Sequence, residues 1–192
     1  TYGKEGATLN LDIDPTTLEK LLQRAIELKQ MLRSGVQYEP FKNRVLGMIF
    51  EKSSTRTRVS FESAMIQCGG GAIFLSPRDS QLGRGEPIQD TARVLSRYCD
   101  CIMIRTFEQE EVEKLAQYAS IPVINGLTDF EHPCQVLADL QTIREYKKRL
   151  KGLKICYIGD GNNMANSIIA GGLKCGMDVS VACPDDYRPH RM

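Results

Sequence analysis

The strongest constraint on how this chain folds is a regular alternation of two hydrophobic periods. Short apolar runs recur at Val45–Phe50, 72–75, Cys101–Arg105, 121–125, 153–159 and 178–183. Between them lie stretches of helical spacing at 55–67, 87–97, 108–119, 133–150 and a segment ending near Lys174. A first helix is expected over 15–32, where Leu18, Leu21, Leu22, Ala25 and Leu28 share one face. Strands that are apolar on both faces and are separated by helices form parallel βαβ units, because a parallel pair needs a long crossover that then covers the sheet. The pattern predicts an α/β fold: a parallel sheet flanked by helices, built from βαβ units.

The basic stretch REYKKRLKG (144–152) fits a helix C-terminus, where cations are favourable. A domain boundary is expected there, giving one domain over 1–150 and the start of a second over 151–192. The second part holds only two strands, too few to close a sheet. The chain also lacks an initiator Met. We therefore expect a two-domain protein whose second domain is only partly represented.

Composition narrows the function. A formal net charge of +1 on 192 residues argues against a nucleic-acid or anionic-membrane binder, which would carry a basic excess. No apolar run approaches the ~20 residues that span a bilayer. The opening TYGKEGATLNLDID has no signal-peptide pattern, so a cytoplasmic location is expected. The seven cysteines form no C-x-x-C pair and sit mostly in apolar stretches, which reads as reduced core thiols rather than disulfides or a metal site.

Parallel sheets bind ligands beyond the carboxyl ends of their strands, and the unusual polar residues fall at those ends. SSTRTR (53–58) follows the first strand, and SPRDSQLGRGE (76–86) follows the second. Arg105-Thr106 ends the third, and NGLTDFEHPCQ (125–135) closes the fourth. Arg56 and Arg58 stand in the first turn of a helix, the end whose dipole disfavours cations. Free helix N–H groups, hydroxyls and guanidinium together make an anion site suited to phosphate. Arg58 has a simpler option, an i,i+4 pair with Glu62. Arg105, ending an apolar strand, needs a partner that a substrate oxygen would supply. His132 precedes the helix that Pro133 opens; the positive helix end favours a neutral imidazole able to donate an N–H. Gln135 reads either as a site residue or as half of a capping box. A Cys134 nucleophile is disfavoured, since i,i+2 spacing across a strand-to-helix corner separates it from His132. GDGNN (159–163) has Met164 where a dinucleotide fingerprint needs glycine, so Asn162 and Asn163 are read instead as polar groups facing the cleft between the two parts.

FEKSSTRTRVSFE and DFEHPCQVLADL, in this order and spacing, resemble the aspartate/ornithine carbamoyltransferase family, and HPCQ and GDGNN resemble its ornithine branch more than its aspartate branch. The resemblance covers essentially the whole chain. It implies transfer of a carbamoyl group from carbamoyl phosphate to the side-chain amine of L-ornithine, giving L-citrulline and phosphate, with no metal or organic cofactor. By motif, Ser54, Thr55, Arg56 and Thr57 would hold the phosphate, and Arg105, His132 and Gln135 the carbamoyl end. Thr57, Arg105 and His132 would be the catalytic donors. Gln81 lies in the loop that, in this family, reaches a neighbouring site in a homotrimer, and Asn163 would contact ornithine. The family's D-x-x-x-S-M and H-C-L-P segments are not in this sequence, so little or no turnover is expected of these 192 residues alone. Other acceptors (putrescine, acylated ornithine, aspartate) or a non-catalytic phosphate-binding fragment are the alternatives.

Overall fold

A computed structural model describes residues 13–78, 81 and 85–189. Helix α1 (Pro15–Arg33) is started by Asp14, whose Oδ1 accepts from the amides of Thr16 at 2.8 Å and Thr17 at 3.1 Å. Strands β1 (Val45–Phe50), β2 (Gly71–Leu75), β3 (Cys101–Arg105) and β4 (Val123–Leu127) form a parallel sheet in the order β2-β1-β3-β4. Helices α2 (Thr55–Gln67), α3 (Ile88–Tyr98) and α4 (Gln109–Tyr118) connect them.

Both faces of this sheet are buried, and the period of two divides its side chains between them. Ile49, Ile102, Ile104 and Val123 pack with Ala92 of α3 and Val112 and Leu115 of α4. Leu46, Met48, Phe50 and Met103 pack on the opposite side with Phe61 and Met65 of α2. Ile102, Met103 and Ile104 are all fully buried, each contributing roughly 1.5–3 kcal/mol of apolar burial. The parallel sheet flanked by helices is the fold read from the sequence.

The packing gathers the described residues into two compact units. Val36–Thr128 makes one compact unit, and 13–35 together with 129–189 makes the other. The second unit holds α1, α5 (Pro133–Lys147), β5 (Lys154–Ile158), α6 (Asn163–Lys174), β6 (Asp178–Ala182) and a short 3-10 turn, Asp185–Tyr187. Strands β5 and β6 pair in parallel. The cause is long-range burial: Leu18 and Leu22 of α1 pack with Val136 and Leu140 of α5, with Leu150 and with Met177. Ion pairs Lys29–Glu145 (2.7 Å) and Arg144–Glu19 (2.6 Å) flank that contact.

Two boundaries moved for local reasons. Strand β4 runs Val123–Leu127 rather than 121–125, because Asn125-Gly126, a turn signal in isolation, is absorbed as a register shift opposite Ile104 and Arg105. A Cβ on Gly126 would lie 2.6 Å from Met103 Sδ and 3.0 Å from the Ile104 carbonyl oxygen, so only glycine fits. Helix α5 stops at Lys147, where Lys148 turns left-handed (φ 62°) and the chain then buries Leu150. Among the described residues, no helix is long and apolar enough to cross a membrane.

Candidate functional site

The first unit concentrates donors at the carboxyl end of its sheet. Phe50 and Arg105 are register partners at the ends of β1 and β3, so the β1–α2 corner stands beside the end of β3. Ser54 caps α2: its Oγ accepts from Thr57 N at 3.3 Å and donates to Thr57 Oγ1 at 3.0 Å. Arg105 donates from Nε to the Lys52 carbonyl at 3.2 Å and from a terminal nitrogen to Thr57 Oγ1 at 3.3 Å. The corner is locked in return, since the amides of Glu51 and Lys52 donate to the Arg105 carbonyl at 2.9 and 3.3 Å.

This chain of bonds has a direction. Thr57 Oγ1 accepts from both Ser54 and Arg105, so its own proton is left to be donated to something else. The first N–H groups of α2 likewise have no carbonyl within the helix to receive them. Arg105 is half-buried, burial lowers its pKa, and among the described residues no carboxylate pairs with it. Arg56 is exposed and also has no acid partner among the described residues. Arg58 is different: its Nε pairs with Glu62 at 3.0 Å, and its guanidinium lies 3.7 Å from the Phe74 ring centroid. The two arginines of the motif thus divide, Arg58 holding the helix surface and Arg56 remaining open.

A cleft of about 650 Å³ opens beside the start of α2, lined by Ser53, Ser54, Thr55, Arg58, Ser76 and Arg78 among others, with Arg56, Thr57 and Arg105 outside its lining. Arg78 was not singled out from the sequence; the signal was a cation three residues past the end of β2. Gln81 is exposed, and its carbonyl accepts from Glu86 N at 3.2 Å. A cleft of about 470 Å³ in the second unit, lined by Val181, Cys183 and Arg188 among others, gathers no comparable donors, since Arg188 is paired with Asp185 at 2.5 Å.

His132, Gln135 and Asn163 belong to the second unit. His132 is the N-cap residue of α5 and its side chain does not cap the helix; its backbone N donates to Ser167 Oγ at 2.8 Å. Asn166 Nδ2 holds the Phe130 carbonyl at 2.8 Å, so two buried polar residues of α6 fasten the segment that carries His132. Sequence reasoning missed both, although a polar pair within the apolar ANSIIA run was the available signal. Gln135 makes no capping box: its Nε2 donates to Asp139 Oδ1 at 3.0 Å, one turn on. Cys134 is half-buried by exposure, and the protein around it pushes its thiol up to about 11, which leaves it protonated at neutral pH.

Asn163 is the first residue of α6. Asn162, expected to face a cleft, instead caps that helix, its Oδ1 accepting from Met164 N at 2.9 Å. The second glycine of GDGNN, Gly161, also has a local explanation. Gly161 N donates to the Tyr187 carbonyl at 2.7 Å, and a Cβ on Gly161 would fall 2.1 Å from Pro189 N. The glycine admits a crossing strand of chain, not a dinucleotide. Among the described residues, no group of three or more His, Cys, Asp and Glu side chains could hold a metal ion.

Comparison with known proteins agrees with the motifs. Residues 8–145 match the family model "Aspartate/ornithine carbamoyltransferase, carbamoyl-P binding domain", and residues 151–192 match its "Asp/Orn binding domain". The chain is 59% identical to the ornithine carbamoyltransferase of Anoxybacillus flavithermus, over 97% of this chain and 59% of that protein. It is 56% identical to the anabolic ornithine carbamoyltransferase of Pseudomonas aeruginosa, over 93% of this chain and 59% of that protein. The solved ornithine carbamoyltransferase of Pyrococcus furiosus superposes with a TM-score of 0.95 at 48% identity, covering 98% of this chain and 60% of that one. The chain therefore spans about three fifths of the length of these relatives. With both parts of the family model matched in order along a fold of the same form, the chain belongs to the aspartate/ornithine carbamoyltransferase family.

Proposed function

We propose that this chain supplies the carbamoyl-phosphate side of a carbamoyl transfer to L-ornithine that yields L-citrulline and phosphate. The observation that carries the reading is the Arg105–Thr57–Ser54 chain: a half-buried guanidinium with no acid partner among the described residues, donating to a hydroxyl that already accepts from Ser54 and so keeps its own proton to give. Ser54, Thr55 and Arg56, with the open N–H groups of α2, hold the phosphate. The amine nitrogen of ornithine bonds to the carbamoyl carbon, the carbon–oxygen bond to phosphate breaks, phosphate leaves with the electron pair, and the amine loses a proton. Thr57, Arg105 and His132 donate to the carbonyl oxygen as negative charge grows on it, each worth roughly 3–4 kcal/mol in the transition state. Gln135 receives the carbamoyl amide and Asn163 contacts ornithine.

In the same reading, residues 1–150 form the carbamoyl-phosphate domain and 151–192 begin the amino-acid domain. Gln81 serves the site of a neighbouring subunit in a homotrimer, and the enzyme works in the cytoplasm in arginine biosynthesis without metal or cofactor. The names of the relatives support ornithine over aspartate, putrescine or an acylated ornithine as acceptor. Calorimetric titration of the 192-residue polypeptide with carbamoyl phosphate, against inorganic phosphate as control, tests the core of it. Saturable binding that Arg56→Ala abolishes while the fold persists supports the assignment. Undiminished affinity in a folded Arg56→Ala protein refutes it.

A further inference from the structure

One half-buried pair of carboxyl groups has no part in that chemistry. Thr106, fully buried directly after Arg105, has its hydroxyl within hydrogen-bond reach of two carboxylates, Glu51 Oε2 from the β1–α2 corner and Glu111 Oε2 from the first turn of α4. A threonine hydroxyl has one proton to give. It satisfies one carboxylate, and the second carboxyl must bring a proton of its own to sit against the same oxygen. Glu111 accordingly has its pKa raised, first by burial and then by the hydrogen bond and like charge of Glu51, against a lowering contribution from Thr106.

The pair lies against the corner that aims Arg105. Glu51 N donates to the Arg105 carbonyl, and the next residue, Lys52, accepts from Arg105 Nε through its own carbonyl. We propose that Glu111 is a positioning residue for Arg105: Glu111 holds a proton of its own against Thr106 and Glu51, and losing it drives the two side chains apart and loosens the corner holding the guanidinium. The inference rests on the carbamoyl-phosphate reading of the site. The charged groups around the pair are Arg105 itself, Lys52, whose Nζ lies 5.2 Å from the Phe107 ring centroid, and Lys114, which is occupied by Glu110 at 2.8 Å.

The sign follows from the raised pKa. A carboxyl whose folded pKa lies above its unfolded one favours the fold below the ordinary glutamate range, and that contribution is lost as pH rises through the raised value. The test is carboxyl 13C and arginine 15Nε NMR from about pH 5 to about pH 9 on the wild type, Glu111→Gln and Thr106→Val, with carbamoyl phosphate affinity measured over the same range. In the wild type we expect one carboxyl to titrate above the ordinary range and the Arg105 Nε signal to move with the same midpoint. Affinity should fall about tenfold across it, and reciprocally carbamoyl phosphate should raise the midpoint by about one pH unit. In Glu111→Gln, where an amide replaces the protonated carboxyl, both the Arg105 signal and the affinity should be flat; Thr106→Val, which keeps both carboxyls but removes the bridge, should break the common midpoint. Two ordinary glutamate titrations, or an Arg105 signal that ignores the pair, would overturn the proposal. An Arg105 signal that follows the pair in a protein that binds no carbamoyl phosphate at any pH would uphold the positioning role and refute the functional reading instead.

Discussion

Replacing Arg105 by methionine separates a binding role from a structural one. Methionine keeps an apolar stem like that of arginine and drops the guanidinium, so the loss falls mainly on charge and donors. Two hydrogen bonds disappear, to the Lys52 carbonyl and to Thr57 Oγ1, a cost of about 1–3 kcal/mol together. Against this, the substitution removes a half-buried cation that has no carboxylate partner among the described residues, which relieves a desolvation penalty. The net change in stability should stay within about 1 kcal/mol, a shift in Tm of no more than about 2–4 °C for a chain of this size. Binding has no such offset. A ligand oxygen that loses a charged donor, and also the orientation of the Thr57 hydroxyl, should lose about 2–4 kcal/mol, or roughly 30- to 1,000-fold in affinity. Thermal melting followed by calorimetry with carbamoyl phosphate reads both quantities on one sample. A Tm lowered by roughly 10 °C with unchanged affinity in the folded fraction would show that the guanidinium holds the β1–α2 corner and nothing else.

The two motif arginines should part company: Arg58→Ala should cost about 0.3–1 kcal/mol through its Glu62 pair and its Phe74 contact and leave binding nearly intact, whereas Arg56→Ala should abolish binding with no measurable loss in Tm. Cys134 should resist alkylation by iodoacetamide at pH values near neutrality while exposed Cys156 reacts, because burial holds the Cys134 thiol at about 11; peptide mass mapping of labelled protein checks the order. Gly161→Ala should destabilise the second unit by roughly 1–3 kcal/mol in denaturant titration, since the new Cβ meets the backbone of Arg188 and Pro189 and not a side chain able to turn away. At the acid end, Asp100 accepts from Val45 N at 2.8 Å and pairs with Arg44, and its pKa is lowered by those two contacts. Its contribution is therefore present above the ordinary aspartate pKa and lost as pH falls through the depressed one. Asp100→Asn should flatten the acid limb of a Tm–pH curve.

The legibility of the sequence depended on how local each determinant was. Val45–Phe50 and Cys101–Arg105 were readable to the residue because an apolar run with sharp polar ends fixes a buried strand without outside help. Strand β4 was read two residues early because Asn-Gly is a turn signal until a neighbouring strand absorbs it; Met103 and Ile104, twenty residues upstream in sequence, decide the matter. The partner of α1 was not readable at all, since an apolar stripe states that it will be covered and not by what. Of the site, Ser54 and Thr57 came from the SSTRTR motif and Arg105 from its place at the end of an apolar strand, and the structure joins these adjoining strand ends by hydrogen bonds. The support of His132 by Asn166 and Ser167 escaped notice because it spans 35 residues and two elements that no spacing rule connects.

The pairing of α1 with α5 and Met177 also sets an order of events during synthesis. Helix α1 leaves the ribosome first, yet the residues that bury Leu18 and Leu22 come more than a hundred positions later. At roughly 5–20 residues per second, α1 waits on the order of ten seconds for its partners, while the sheet of β1 to β4 has all its strands by Leu127, before Val136 and well before Met177. The middle of the chain can thus condense before its beginning does. A nascent chain arrested shortly after β4 should carry a formed first unit behind an unprotected N-terminal helix, which pulse proteolysis of stalled ribosome complexes would cut at α1 and spare at β3.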